Sequence, residues 1–531
     1  MANLLLLGAE AIAQGAIDAG ITGIYAYPGT PSTEITEYVQ NSSEAKEKNI
    51  RSAWSANEKT AMEAALGMSY AGKRAMVCMK HVGLNVAADA FVNSAITGAN
   101  GGLIVVAADD PSMHSSQNEQ DSRFFGKFAM IPILEPSNQQ EAYDMVQYGF
   151  EISEKYSIPV LMRITTRLAH SRSGIERKFS LGQNELILPE DKRQFVLLPA
   201  IARKRYKLLL GNQVLFEKES EESGYNKYFE ANNKSLGIIT SGIAYNYLME
   251  NYPDRKLPFP VLKLTQCPLP RKLIEKFYNE CDTLLVLEDG APVIEEMLKG
   301  YLNIGKEIKG RLDGSIPRDG ELNPNIIANA LGIKESYGND APEIVAPRPP
   351  SLCKGCGHID MYKFLLEALK PYSEGRVFSD IGCYTLGALP PFNAINSCVD
   401  MGASITMAVG AAGAGLSPAV AVIGDSTFTH SGITGLLDAI NDGANVTVII
   451  SDNSTTAMTG GQDSSGTDKI ENICKGLGVS EEHLRVMIPL PKNHEENVRV
   501  MKEELEYDGV SVIIPQRDCI HTYKRKIKLL K

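Results

Sequence analysis

The stretch Pro418 to Gly461, PAVAVIGDSTFTHSGITGLLDAINDGANVTVIISDNSTTAMTGG, decides how the rest of the chain is read. Two apolar runs, Ala419 to Ile423 and Val446 to Ile450, flank Ile433, Leu436, Leu437 and Ile440, whose i, i+3, i+4, i+7 spacing is helical. This pattern predicts a strand, a helix and a second strand. A right-handed crossover between parallel strands would bring Asp425 and Asn453 out at strand C-terminal ends, where α/β sheets bind ligands. A carboxylate and an amide oxygen facing one spot suit a hard divalent cation beside a diphosphate. Gly424 allows close backbone approach there, and the following helix N-terminus favours an anion.

Working outward, the 531 residues predict about three or four domains, and 44% hydrophobic with 22% charged residues is ordinary globular composition. A net charge of −11 without a basic stripe argues against a nucleic-acid partner. No apolar run is long enough to span a bilayer, and Leu4 to Leu7 is followed at once by Glu10, which reads as a first strand and helix rather than a signal segment. Nine scattered cysteines fit a reduced, cytoplasmic compartment better than a disulfide framework.

From residue 1 to about 180, strands and helices alternate as in an α/β domain. The loop Tyr27-Pro28-Gly29-Thr30-Pro31-Ser32 ends a strand, with Ser32 or Thr33 a cap for the next helix, and Asn57-Glu58-Lys59 opens another helix. Residues 181–234 are charged and read as a helical connector, 235–304 as a smaller α/β domain, and 305–350 as a linker ending in Ala346-Pro347-Arg348-Pro349-Pro350. The final domain, 351–531, opens on Cys353-Lys354-Gly355-Cys356. A lone CxxC is open to zinc, disulfide redox chemistry or iron-sulfur ligation. Cys383, in Ser379-Asp380-Ile381-Gly382-Cys383-Tyr384, and Cys519, in Ile514-Pro515-Gln516-Arg517-Asp518-Cys519, stand near apparent strand ends, and Cys398 competes for the fourth place.

Three separated motif groups carry a resemblance. Gly424-Asp425-Ser426 to Asp452-Asn453, 29 positions from Asp425 to Asn453 counted inclusively, resembles the metal-binding signature of thiamine diphosphate enzymes, departing by one residue at each end from Gly-Asp-Gly and Asn-Asn. YPGTPSTE, ANEKTAMEAALGMSYAGKRAMVCMKHVGLNVAADAF and DDPSMHSSQNEQDSR resemble the 2-oxoacid:ferredoxin oxidoreductase family, and within it the alpha subunits of the indolepyruvate type. The cysteines fall in the family's order.

The resemblance implies a multidomain α/β thiamine diphosphate-binding fold, with two doubly wound parallel-sheet cofactor domains and a smaller α/β middle domain. It implies that Glu58 faces the cofactor's aminopyrimidine ring, that Thr30, His81 and Arg123 line the substrate side, and that Arg123 holds a 2-oxoacid carboxylate. Gly424, Asp425, Ser426, Asn453 and Thr455 would bind the cofactor, with magnesium on Asp425, Asn453 and the Thr455 carbonyl. Cys353, Cys356, Cys383 and Cys519 would hold one 4Fe-4S cluster, a zinc site of the same thiolates being the alternative. The implied reaction is oxidative decarboxylation of an aryl pyruvate such as indolepyruvate, with coenzyme A as co-substrate and ferredoxin as acceptor. A non-oxidative decarboxylase or a silent scaffold are the competing readings. A smaller beta subunit and a two-fold symmetric hetero-oligomer are implied partners. The family usually adds a C-terminal ferredoxin-like domain; Lys531 stands 12 residues beyond Cys519 without such motifs, so either onward electron relay is expected from elsewhere or the sequence is truncated.

Overall fold

The structure is a computed structural model that describes residues 3–189, 194–254, 256–301, 306–338, 340, 342–346, 350–398 and 400–529. Pro347, Arg348 and Pro349 of the linker lie outside the described residues. The chain forms two compact units, Met1–Asp340 and Ala341–Lys531.

In the first unit a seven-stranded sheet runs in the order Gln266–Cys267, Ile133–Leu134, Val160–Thr165, Leu103–Asp109, Ala75–Lys80, Gly23–Ala26, Arg51–Trp54. Every pairing is parallel except that of the edge strand Gln266–Cys267. Ala75–Lys80 and Leu103–Asp109 are buried along their whole length, as parallel strands covered on both faces must be, and this explains their unbroken apolar runs. Helix Gly8–Asp18 packs its small residues against helix Gln139–Tyr156 so closely that a Cβ on Gly15 would stand 2.7 Å from the Tyr143 carbonyl oxygen. The strand before it, Asn3–Leu7, pairs antiparallel with Arg172–Glu176 in a separate ribbon.

Residues Pro199–Glu222 form a 24-residue helix. Beyond it a five-stranded sheet runs in the order Ile308–Lys309, Thr283–Leu287, Leu236–Ser241, Val261–Leu264, Lys227–Phe229, parallel but for the last strand.

The second unit is built on a six-stranded, all-parallel sheet ordered Ser397–Cys398, Val377–Ser379, Ala419–Gly424, Val446–Ser451, Val510–Pro515, Leu484–Met487. Its two central strands are the apolar runs that open the sequence analysis, and helix Ile433–Asn441 connects them. All six residues of each strand are buried. Burying each Val or Ile side chain contributes about 1.5–3 kcal/mol, which anchors the strand ends rigidly. Between Gly424 and that helix the chain makes a π-helical turn, Phe428–Gly432, which the helical spacing did not announce. Such turns often mark functional sites.

Candidate functional site

In the first unit the ends of three neighbouring strands, Ala75–Lys80, Gly23–Ala26 and Arg51–Trp54, assemble a group of polar residues. Glu58 opens helix Glu58–Tyr70, capped by Asn57, whose side chain accepts the Thr60 N–H at 2.9 Å. Its carboxyl is buried against the first turn of helix His81–Thr97, where a Cβ on Gly83 would stand 2.5 Å from Glu58 Oε1. The absence of a Cβ at Gly83 leaves the Glu58 side chain its room. His81 begins that helix and is 1% exposed; its Nε2 stands 3.3 Å from Asn118 Oδ1, and its Nδ1 has no hydrogen-bond partner. Thr30 lies in the turn after Gly23–Ala26, and the neighbouring Gly29 rests on Lys80, at 3.2 Å from Lys80 Cβ for a Cβ built there. Neither expected cap bonds its helix: the Ser32 hydroxyl donates back to the Gly29 carbonyl, and Thr33 Oγ1 accepts the Gly29 N–H. The turn is thereby closed on itself. Glu58, His81 and the Thr30 turn thus cluster around the end of strand Ala75–Lys80.

Arg123 stands apart from them. It is 1% exposed and its guanidinium is spent on Asp121, on Glu288 at 2.9 Å, on Glu135 at 3.6 Å and on the Ala291 carbonyl at 2.9 Å. Beside it Arg163 pairs with Asp109 at 2.6 Å and with Asp121 and Glu135. A further carboxylate here would meet an existing surplus of buried acids. Burial works against the charge on Arg123, yet Asp121, Glu135 and Glu288 hold its pKa well above the ordinary value. The pairs join strand ends of the seven-stranded sheet to those of the five-stranded sheet.

One member of this cluster makes a pH-dependent contribution. Asp289 is 1% exposed, its Oδ2 has no hydrogen-bond partner, and burial, opposed by the Leu322 N–H, pushes its carboxyl up to about 6. The folded chain therefore keeps this proton where the unfolded chain has already lost it. Stability falls as pH rises from the ordinary carboxylate range through about 6, on the order of 1–3 kcal/mol for this group. Asp289→Asn is expected to raise the melting temperature at pH 7.5 and leave it nearly unchanged at pH 4; equal shifts at both would contradict this.

In the second unit, Asp425 follows the strand Ala419–Gly424 and Asp452 and Asn453 follow Val446–Ser451, with Gly424 and Ser451 in register. Asp425 is 2% exposed and its Oδ2 is buried without a hydrogen-bond partner. Burial, then the nearby Asp452 charge, pushes its carboxyl up to about 7. An orphaned buried carboxylate oxygen is what a cation ligand looks like before the cation is added. Asn453 Oδ1 accepts the Thr455 N–H at 3.2 Å, Thr455 Oγ1 donates to the Gln462 carbonyl at 2.8 Å, and Ser426 and Thr456 hydroxyls bond at 2.9 Å. Ser454, with φ of 60°, takes the left-handed conformation that bends this loop, and Asp452 Oδ1 accepts its N–H at 3.0 Å. The donor set fits magnesium: a charged oxygen and an amide oxygen at adjacent strand ends.

Sequence reasoning assigned no role to His358 or Asp452. His358 is 2% exposed, Asn453 Nδ2 donates to its Nε2 at 3.4 Å, and burial lowers its pKa to about 4, so the imidazole is neutral. Its place two residues after Cys356 was visible; its contact with Asn453, 95 positions away, was not.

Cys353, Cys356, Cys383 and Cys519 all line one cavity of about 290 Å³, together with His358, Asp452 and Asn453. Gly355, at φ 84°, turns the CxxC so that the Cys356 N–H reaches the Cys353 carbonyl at 2.9 Å. Cys383 begins a short 3₁₀ helix, and the Cys519 N–H donates to the Asn453 carbonyl at 3.1 Å. Burial, then the neighbouring Cys356, Cys519 and Cys353, pushes the Cys383 thiol up to about 12. Cys398 is elsewhere, on the edge strand with its thiol 3.7 Å from the Asp380 carbonyl oxygen, and does not line the cavity. Among the described residues no group of three or more His, Cys, Asp or Glu side chains is placed to hold a metal ion. The four thiols share one cavity.

Comparison with known proteins agrees with the order of these motifs. The chain is 40% identical to indolepyruvate oxidoreductase subunit IorA of Archaeoglobus fulgidus over 98% of this chain and 87% of that one. It is 40% identical to the Pyrococcus horikoshii subunit of the same name over 97% and 86%. The chain belongs to the IorA family. Residues 14–200 of this IorA-family chain match the family described as pyruvate flavodoxin/ferredoxin oxidoreductase, thiamine diP-binding, and residues 380–514 match the thiamine pyrophosphate enzyme C-terminal TPP binding domain. Both thiamine diphosphate domain types are therefore present, in a multidomain α/β fold. A solved 2-oxoglutarate:ferredoxin oxidoreductase from Magnetococcus marinus shares the fold, with a TM-score of 0.52 and 17% identity over 62% of this chain and 65% of that one. Among the described residues of this IorA-family chain no helix is long and apolar enough to cross a membrane.

Asp425→Ala is expected to weaken thiamine diphosphate and magnesium binding about 10- to 100-fold, the worth of a charge-assisted contact. The same change removes an orphaned buried carboxyl, so the cofactor-free chain is expected to melt higher at pH 8. Calorimetric titration with and without chelator checks the first and a thermal melt the second; unchanged binding would leave the strand, helix, strand unit a purely structural one.

Proposed function

We propose that this chain is the thiamine diphosphate-binding subunit of an enzyme that oxidatively decarboxylates a 2-oxoacid, an aryl pyruvate such as indolepyruvate, forms the acyl-coenzyme A and passes electrons to ferredoxin. The observation that carries this reading is the meeting of two sites at one sheet edge. The four cysteines surround a cavity that Asn453 also lines, and Cys519 is hydrogen-bonded to the Asn453 backbone. A non-oxidative decarboxylase would have no use for such a thiol set beside its cofactor site.

Bound thiamine diphosphate supplies the electron sink for loss of carbon dioxide. The chain's own residues supply the rest. Asp425, Asn453 and the Thr455 carbonyl hold magnesium, and Gly424 and Ser426 border the diphosphate. Buried Glu58 would exchange a proton with the pyrimidine ring nitrogen through its carboxyl oxygen, in the space that Gly83 leaves open. His81 and Thr30 border the substrate. Cys353, Cys356, Cys383 and Cys519 hold one 4Fe-4S cluster, a reading supported by the cavity that the four line together. Residues 1–180 form the pyrimidine-side domain and 351–531 the diphosphate-side domain, with a connector at 181–234, a middle domain at 235–304 and a linker at 305–350.

The relatives are named as subunits, and we take the working enzyme to be a two-fold symmetric assembly of this chain with a smaller beta subunit, located in the cytoplasm. The test is anaerobic turnover of indolepyruvate with a viologen dye as acceptor. Coenzyme A-dependent dye reduction is expected from the chain with its smaller partner and little from the chain alone. Release of the aldehyde as sole product, with no dye reduced, would overturn the oxidative reading.

A further inference from the structure

Six lysine and arginine side chains are buried among the described residues: Arg74, Lys80, Arg123, Arg163, Lys263 and Arg311. Four have carboxylate partners, Arg74 with Glu154 at 2.7 Å, Arg123 and Arg163 in the acid cluster, and Lys263 with Glu141. Arg311 gives its guanidinium to the carbonyls of Glu288, Pro317 and Gly320. Lys80 is the exception. It is 9% exposed, and among the described residues its Nζ makes one hydrogen bond, to the Ser115 carbonyl at 2.7 Å, leaving two N–H groups unspent.

Asp110, the acid whose charge acts on it, does not neutralise it by contact. Asp110 accepts the Ser115 N–H at 2.8 Å and the Thr166 hydroxyl at 2.7 Å, together with the Ser116 hydroxyl, and makes no ion pair with Lys80 among the described residues. Burial lowers the Lys80 pKa, with Asp110 partly opposing. A buried ammonium held by one carbonyl is a costly arrangement, and an anionic ligand would relieve it.

Its position gives that ligand a place. Lys80 ends the strand Ala75–Lys80, is followed directly by His81, and carries the Thr30 turn on its stem through Gly29. One turn further along, Gly83 meets Glu58. We propose that Lys80 binds the carboxylate of the 2-oxoacid, the role expected of Arg123, which is locked among its own acids. This rests on the function proposed above.

The contact is to a charge that disappears as carbon dioxide leaves. It therefore holds the substrate rather than the transition state, and its loss raises KM more than it lowers kcat. In the complex with the smaller subunit, Lys80→Met is expected to raise KM for indolepyruvate about 10- to 100-fold while KM for coenzyme A and bound thiamine diphosphate stay unchanged. Lys80→Arg is expected to recover most of the loss. Lys80→Gln keeps a donor for the Ser115 carbonyl without the charge and is expected to behave like Lys80→Met, which separates charge from loop anchoring. Competitive inhibition by an indolepropionate should weaken in step with KM, and inhibition by the corresponding amide should not. Equal weakening of both inhibitors, or an unchanged KM in an active complex, would overturn the assignment of Lys80 alone. A wild-type complex that turns over no 2-oxoacid would overturn the assignment and the underlying function together.

Discussion

Glu58→Gln is expected to retain thiamine diphosphate and lose about 10²- to 10⁴-fold in turnover, the range of a positioned acid-base group. A glutamine fills the same space and can still hydrogen-bond, but it cannot pass a proton between its side-chain oxygen and a ring nitrogen. The site is preorganised to keep that difference sharp: Glu58 is 5% exposed, fixed in the first turn of a helix capped by Asn57, and packed on the backbone of Gly83. Steady-state turnover together with the thiamine content of the purified complex checks it. Near wild-type turnover with full cofactor would remove Glu58 from the reaction.

The second large effect is at the thiols. If the proposed cluster is present, serine at Cys356, Cys383 or Cys519 is expected to abolish the iron-sulfur absorbance and the reduced-state paramagnetic signal, and with them all dye reduction, because such clusters are held by cysteine sulfur. Cys353 is expected to follow, though it is the exposed member and His521 Nε2 stands 3.3 Å from its sulfur. Cys398→Ser should change nothing, since its thiol lies outside the cavity on the edge strand. Loss of the cluster at Cys398 with retention at Cys519 would reverse the choice of fourth ligand.

What the sequence disclosed and what it withheld follow from how local each signal is. The strand, helix, strand unit around Asp425 was legible because parallel strands buried on both faces must be continuously apolar, and the turn residues at their ends follow in fixed order. The gathering of Cys353, Cys356, Cys383 and Cys519 was legible only through order and resemblance, since nothing in spacing alone brings Cys519 to Cys353. Arg123 illustrates the opposite case. Its charge reads as available in a sequence, while its burial against Glu288, 165 positions later, is a property of the folded unit. Lys80 was overlooked because a lysine ending a strand ordinarily snorkels to solvent, and its burial shows only when the Gly29 turn and the Ser115 loop are laid over it. The hydrogen bond from Asn453 to His358 likewise joins two motifs that no local pattern relates.

The central claim is that one chain carries a thiamine diphosphate site and an iron-sulfur cluster as parts of a single redox enzyme. Anaerobic purification followed by quantification of thiamine diphosphate, iron, acid-labile sulfide and zinc in the same sample tests it most directly. The account predicts one thiamine diphosphate with about four iron and four sulfide per chain and no stoichiometric zinc, the composition of a single 4Fe-4S cluster. One zinc per chain with no sulfide, or a full complement of cofactor with no iron, would contradict it.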